Sequence, residues 1–222
     1  MRPFCILSSA LLFMSALFLP AARAQKISFD GGVVTGIHGA DMVGDKEEFW
    51  GYDYEKSGMP GFSAGPFVRC NFSPETFAML EFRYITKGSN FGYINQFFTQ
   101  SFEKIRFTYI EVPVLAGING SIPRPAGDLD FSFETGLAFS RLFSSGLKYD
   151  DLTQRESKAS LRGFRDYDIS WIGQIQFPYR SAKNYELFFG FHIERSIISI
   201  HEKYRLYNFD YGFDLYCMFK NL

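Results

Sequence analysis

Three histidines and a set of interleaved carboxylates are the groups in this chain with the means to do chemistry. His192 and Glu194 are two positions apart, so in an extended strand they share one side and could serve as an acid/base pair. The same parity equally suits a hydrogen-bonded histidine facing the inside of a closed sheet. His38 and His201-Glu202 follow strand-like runs near the two ends of the chain. If the first and last strands pair, these residues meet at one rim, the place for a metal site or a hydrolase acting on lipids. Lys87-Gly88 reads as the end of a strand, not a phosphate loop. Metal-ligand spacings, a Walker loop, a nucleophile elbow and a CxxC pair are absent. The sequence therefore assigns no catalytic residue, no cofactor and no metal ligand, and the chain is expected not to be an enzyme.

The elements that carry these groups follow strand period. In Thr108–Asn119, Ile110, Val112, Val114, Ala116 and Ile118 alternate with Tyr109, Glu111, Pro113, Leu115 and Asn119. Seven further runs behave alike: Lys26–Ile37, Pro60–Asn71, Thr76–Lys87, Asp128–Arg141, Asp166–Phe177, Tyr185–Glu194 and Tyr207–Phe219. Eight is an even number, and the connections are alternately long and short, as in barrels of the outer membrane. Gly88–Arg106 and Leu142–Arg165 read as two of the long loops. The fold class implied is all-β, an eight-stranded antiparallel up-and-down transmembrane β-barrel. Pro66 and Pro113 sit mid-strand, where a closed barrel has no free edge for them, so a bulge or a gap in pairing is expected at each.

Parity alone leaves two barrels open. A secreted lipocalin-like carrier of an apolar ligand puts its rings inside, and an outer-membrane barrel puts them outside. Volume favours the second. An eight-stranded interior is just wide enough to be filled by side chains, whereas the chain carries 27 Phe and 13 Tyr. Arg69, Glu81, Arg83, Lys87, Glu111 and Glu134 then face inward from successive strands and pair across them, and Phe133 faces lipid. Trp50, Tyr52, Tyr54, Phe91 and Tyr93 fall near the outer loops, as an interfacial girdle or a partner-binding patch.

Residues 1–24 read as a cleaved signal peptide: Arg2, an apolar run from Phe4 to Leu19, then Ala22-Arg23-Ala24. Residues 25–222 form the barrel domain. Loss of the two arginines leaves the mature chain two units more negative than the −1 of the full sequence, and with no basic stripe to neutralise phosphates this argues against a nucleic-acid partner. Cys70 and Cys217 should be separated by one strand, about 9–10 Å between backbones, too far for a disulfide. Two free thiols are expected. Asn71-Phe72-Ser73 and Asn119-Gly120-Ser121 read as turn residues, not glycosylation sites.

Tyr84-Ile85-Thr86-Lys87-Gly88, then Tyr109-Ile110-Glu111-Val112-Pro113-Val114-Leu115, resemble the PorT-like outer-membrane β-barrel family of Gram-negative bacteria. Gly136-Leu137-Ala138 and the aromatic final strand agree with it. The resemblance spans the chain from about Gln25 to Leu222. It implies residence in the bacterial outer membrane, contact with outer-membrane lipid, and insertion by the barrel-assembly machinery. It also implies a role accessory to protein secretion across that membrane, with secretion-system or envelope proteins as partners. The end departs from the usual assembly signal, since Phe219 is followed by Lys220-Asn221-Leu222. A monomer with a side-chain-plugged lumen, acting through its outer loops, is the expected form.

Overall fold

The computed structural model describes residues 27–45, 54–94, 100–125, 127–150 and 163–220. The expected signal peptide, Trp50 and Tyr52 lie outside them. The strands are β1 (Ser28–Gly44), β2 (Tyr54–Asn71), β3 (Thr76–Glu81), β4 (Arg83–Ile94), β5 (Gln100–Ile122), β6 (Leu129–Asp150), β7 (Tyr167–Ser181), β8 (Tyr185–Ser196) and β9 (Leu206–Phe219). β3 and β4 are two halves of one staff interrupted at Phe82, so nine segments make eight barrel strands. β1 pairs antiparallel with both β2 and β9, which closes the sheet. Partners followed once around from Ala40, through Asp210, Glu194, Ile172, Gly136, Leu115, Met79 and Arg69, arrive at Asp30. That return point is ten residues lower on β1, and this stagger is the shear of the barrel.

Phe133 is 46% exposed and Glu134 is fully buried. The rings are therefore outside. Ile37, Phe62, Val114, Phe139, Trp171, Phe189 and Phe213 share the exterior, whereas Glu81, Arg83, Lys87 and Glu111 are buried within. The soluble-carrier alternative required the reverse and is overturned. A girdle does exist: Tyr84, Tyr167, Trp171 and Tyr211 at one end of the belt, and Phe29, Tyr179 and Phe219 at the other, all exposed. Phe91 is the correction, because it points inward and is buried. Tyr54 and Tyr93 contribute backbone to β2 and β4.

The gap at the prolines is as expected, and the two prolines lie opposite adjacent residues, Phe82 and Glu81. Phe82 N–H donates to Pro66 O (2.9 Å), and proline has no N–H to return. On the other side the β3–β5 ladder ends at Leu80–Val114 and resumes as β4–β5 at Arg83–Glu111, skipping the level of Pro113.

The strands run further than expected at their outer ends. β1 continues past Ile37 to Gly44, β4 and β5 form a hairpin through most of Gly88–Arg106, and β6 extends to Asp150. Gly88 does not end its strand. It has φ +149°, and a Cβ there would lie 2.0 Å from Ile105 O, so only glycine fits. In β6 a bulge lies between the pairs Thr108–Ser144 and Tyr109–Leu142. It leaves Phe143 72% exposed and resets the parity, so that Leu147 turns inward. β1 lies between the two cysteines: Cys70 faces Phe29, Cys217 faces Val33, and both thiols are free.

Candidate functional site

The inward side chains stack in levels. Val34, Phe67, Phe77, Met79, Leu115, Tyr216 and Met218 pack together toward the short-turn end. Met42, Ile85, Phe91, Ile105, Phe107, Tyr109 and Leu206 pack at the outer end. Charge lies between. On β4 the inward parity gives Arg83 and Lys87, and on β9 it gives Asp210 and Asp214, four residues apart in each case. Two cation–carboxylate groups result, one above the other.

Lys87 holds the upper group. Its Nζ donates to Glu111 Oε2 (2.6 Å) and to Glu194, and it lies 3.7 Å from Asp210 Oδ2. Ser140 donates a further bond to Glu111 (2.8 Å). Arg83 holds the lower group: it binds Glu81, donates to the Tyr216 hydroxyl (2.7 Å), and lies 3.8 Å from Asp214. His192 joins the two, with Nδ1 2.6 Å from Asp214 and Nε2 3.2 Å from Asp210. Below, Gln174 links Tyr216 to Glu134. Beside them Asp168 accepts from Ser196 (2.7 Å) and Asn208 (2.9 Å).

Burial makes such groups strong in both directions. A paired charge is tolerated, and an unpaired one is costly. Seven carboxyl groups stand with Arg83, Lys87 and His192, so acidic groups outnumber basic ones in the layer. Glu111 Oε1, Glu134 Oε1, Glu194 Oε2 and Asp214 Oδ1 have no hydrogen-bond partner. Arg83 and Lys87 are 0% and 1% exposed, so no substrate reaches them in this conformation. The arrangement is a clamp between strands, not an open reaction centre.

His192 and Glu194 share the inward face as expected, yet they belong to different partners, the aspartates and Lys87. His38 requires a correction. It lies inside β1, not in a rim loop, with its Nε2 2.7 Å from Thr86 O and its ring 6.0 Å from that of His192. The rim pair Gly44–Leu206 is six residues further up, roughly 20 Å along the strand. His201 is at that rim. Its Nδ1 accepts from the Lys203 and Tyr204 N–H groups (3.1 Å each), and its ring packs edge-on to Phe164. Burial lowers its pKa. The two histidines therefore build no common rim site. Among the described residues no group of three or more His, Cys, Asp or Glu could hold a metal ion.

Asn71 and Asn119 close the short-turn end. Arg69 Nε donates to Asn71 Oδ1 and its Nη2 to Asn119 Oδ1 (2.9 Å each), while the guanidinium lies 3.5 Å over Phe77. Here a cavity of about 800 Å³ opens between Asp30, Arg69, Glu186 and Lys220. Asp168, Asp210 and Asp214, the aspartates of the clamp, carried no motif. Their only signal was inward parity on the sixth and eighth predicted strands.

The profile of the family described as "Outer membrane protein beta-barrel domain" matches residues 23–202. Among solved structures, Neisserial surface protein A is 12% identical at a TM-score of 0.45, covering 88% of this chain and 99% of that one. OprG from Pseudomonas aeruginosa is 11% identical at 0.43, covering 87% and 94%. Ail, the attachment invasion locus protein of Yersinia pestis, is 10% identical at 0.41, covering 86% and 99%. No curated protein sequence matches. Closed sheet, apolar exterior and profile agree, and the chain belongs to the outer membrane protein beta-barrel domain family of the bacterial outer membrane.

Proposed function

We propose that this protein is a monomeric outer-membrane barrel whose lumen is plugged by its own side chains, and that it acts without catalysis, through its outer loops, as a structural or interaction protein. The observation that carries this reading is the Lys87 clamp, which ties β4 to β5, β8 and β9 across the lumen beneath an apolar cluster. A service to protein secretion is the finer reading, with secretion-system or envelope proteins as partners. It draws on the PorT-like resemblance, whose two halves are neighbours in space: Arg83 to Gly88 pair with Glu111 to Arg106, and the ion pair Lys87–Glu111 joins them. The barrel-assembly machinery inserts the chain after loss of residues 1–24.

Single-channel recording of the purified protein in planar bilayers tests the plug. The expected trace shows no stable conducting state, and a stable open pore would overturn the reading. For the secretion role, deletion of the gene should remove specific proteins from the culture medium, and an unchanged profile of released proteins would end it.

A further inference from the structure

The lipid-facing surface is not uniform around the barrel. At the outer end of the belt, the sector formed by β6 and β8 turns two arginines outward: Arg141 and Arg195 are both exposed. At the corresponding end of the opposite sector the described outward side chains are uncharged or acidic, among them Tyr84, Tyr211, Gly39 and Asp41. Arg195 stands on an apolar patch. Ile193 on β8 and Ile197 just past its end flank it, and it pairs laterally with Trp171 and Phe209. It has no ion-pair partner among the described residues. Arg141 follows Phe139 and precedes Phe143 on the exterior, with an exposed contact to Asp166 at 3.7 Å.

Register sets their heights. Arg195 faces Trp171, which faces Leu137. The ten-residue shear over eight strands lifts the equal-height point about one residue per strand in that direction, which brings Arg195 close to the level of Phe139 and Arg141. With β7 between them and Arg141 four residues beyond Leu137, the two backbones lie roughly 16 Å apart, a span that the two long side chains can narrow from both ends.

A cation on the lipid side of a barrel is tolerated only near the interface, where its long stem lies along apolar surface and its head reaches the headgroups. Besides Asp166, which touches Arg141 from an exposed position, the anions available at that level are lipid phosphates, and a guanidinium fork binds phosphate through paired, charge-assisted hydrogen bonds. We propose that the β6–β8 sector, with Arg141 and Arg195 as its two forks and Trp171 as the apolar floor between them, binds the phosphate groups of an anionic lipid of the outer leaflet. This rests on the barrel lying in the outer membrane, and not on the plugged lumen or the secretion role.

The test uses the full mature chain in phosphatidylcholine nanodiscs containing bisphosphorylated lipid A, with retained lipid counted by native mass spectrometry. R141Q/R195Q should lower lipid A retention about tenfold, the loss expected when charge-assisted bonds are removed. R141K/R195K, which keeps charge but not the fork, should fall in between. Arg180, exposed at the opposite end of the barrel, gives the control R180Q, which should retain lipid as the parent does. Inorganic phosphate at millimolar concentration should not displace the lipid, since acyl chains and Trp171 hold it as well. Unchanged retention in R141Q/R195Q, equal loss in R180Q, or displacement by free phosphate would each overturn the proposal. Heat-modifiable migration shows that every variant is folded before it is compared.

Discussion

Two levels of one lumen, a few residues apart, are built on opposite principles. At the level of the belt the wall is apolar outside and charged within: Phe139 and Ile37 face outward, Lys87, Glu111 and His192 inward. Above it the wall is reversed. Arg106 and Asn90 turn outward, and Ile105, Phe107, Phe91 and Met42 are buried inside. The backbone does not change at the crossing, since β4 and β5 run through both levels in one ladder. What changes is the solvent outside. Lipid allows the polar set no place but the lumen, while water returns the ordinary hydrophobic drive to the inside. Directional ion pairs hold one level and non-directional packing holds the other, so the two should fail differently.

The largest effect should follow from Lys87→Met. It leaves Glu111, Glu194 and Asp210 facing one another without their cation, at a cost of about 3–5 kcal/mol. Urea unfolding in phosphatidylcholine vesicles should show the loss, and Glu111→Gln with Glu194→Gln added should restore part of it. A single variant as stable as the parent would mean that the clamp is idle.

Ile105→Ala in the upper cluster removes apolar contact instead, for about 3 kcal/mol. Its discriminating sign is indifference to salt and to the carboxylate substitutions, because Ile105 packs in an apolar cluster that meets the ion pairs through Tyr109, whose ring lies 5.9 Å from Lys87 Nζ. If its cost changed in the Glu111→Gln background, the division into two levels would be wrong.

Phe133→Arg probes the exterior and should cost about 2 kcal/mol in bilayers. Spin labels at positions 133 and 134 sharpen the point. Oxygen dissolved in lipid should relax only the first, and relaxation of a label replacing Glu134 would place that side in lipid.

The smallest effect concerns pH at the outer rim. Burial lowers the His201 pKa below its unfolded value, so its contribution is present above the unfolded pKa and is lost as pH falls through the folded one. Protonated Nδ1 can no longer accept from Lys203 and Tyr204. Amide exchange at those two residues should speed up on acidification below about pH 6.5, while the strand interiors stay protected. Exchange at the two amides that is flat across that range would remove His201 as the cause.

The same reversal decides what the sequence could disclose. Phe133 and Glu134 were legible because β6 keeps one polarity per face through the belt. Tyr109 and Ile110 mark where legibility fails. Below them Ile110, Val112 and Val114 are the apolar parity, and above them Ile105, Phe107 and Tyr109 are. A period analysis meets two apolar sets that change places and reads a strand end where the strand continues. The bulge at Phe143 hid the continuation of β6 in the same way. For the clamp, the inward parity of Glu111, Lys87 and Arg83 was visible, as was the role of lumen charges in pairing. That His192 bridges Asp210 and Asp214, and that His38 lies inside and not at the rim, depended on strand lengths and stagger, which composition does not encode. Phe91 was misplaced for the first reason, and His38 for the second.

The ten-residue stagger also fixes how far this protein reaches. With strands about 4.8 Å apart and about 3.3 Å per residue, eight strands at that stagger lean about 40° from the barrel axis. β5, with its 23 residues, then stands about 55 Å tall, whereas an apolar band needs only about 25 Å. The surplus rises on the side of the long connections. Whatever meets the tips of this wall does so well beyond the lipid headgroups.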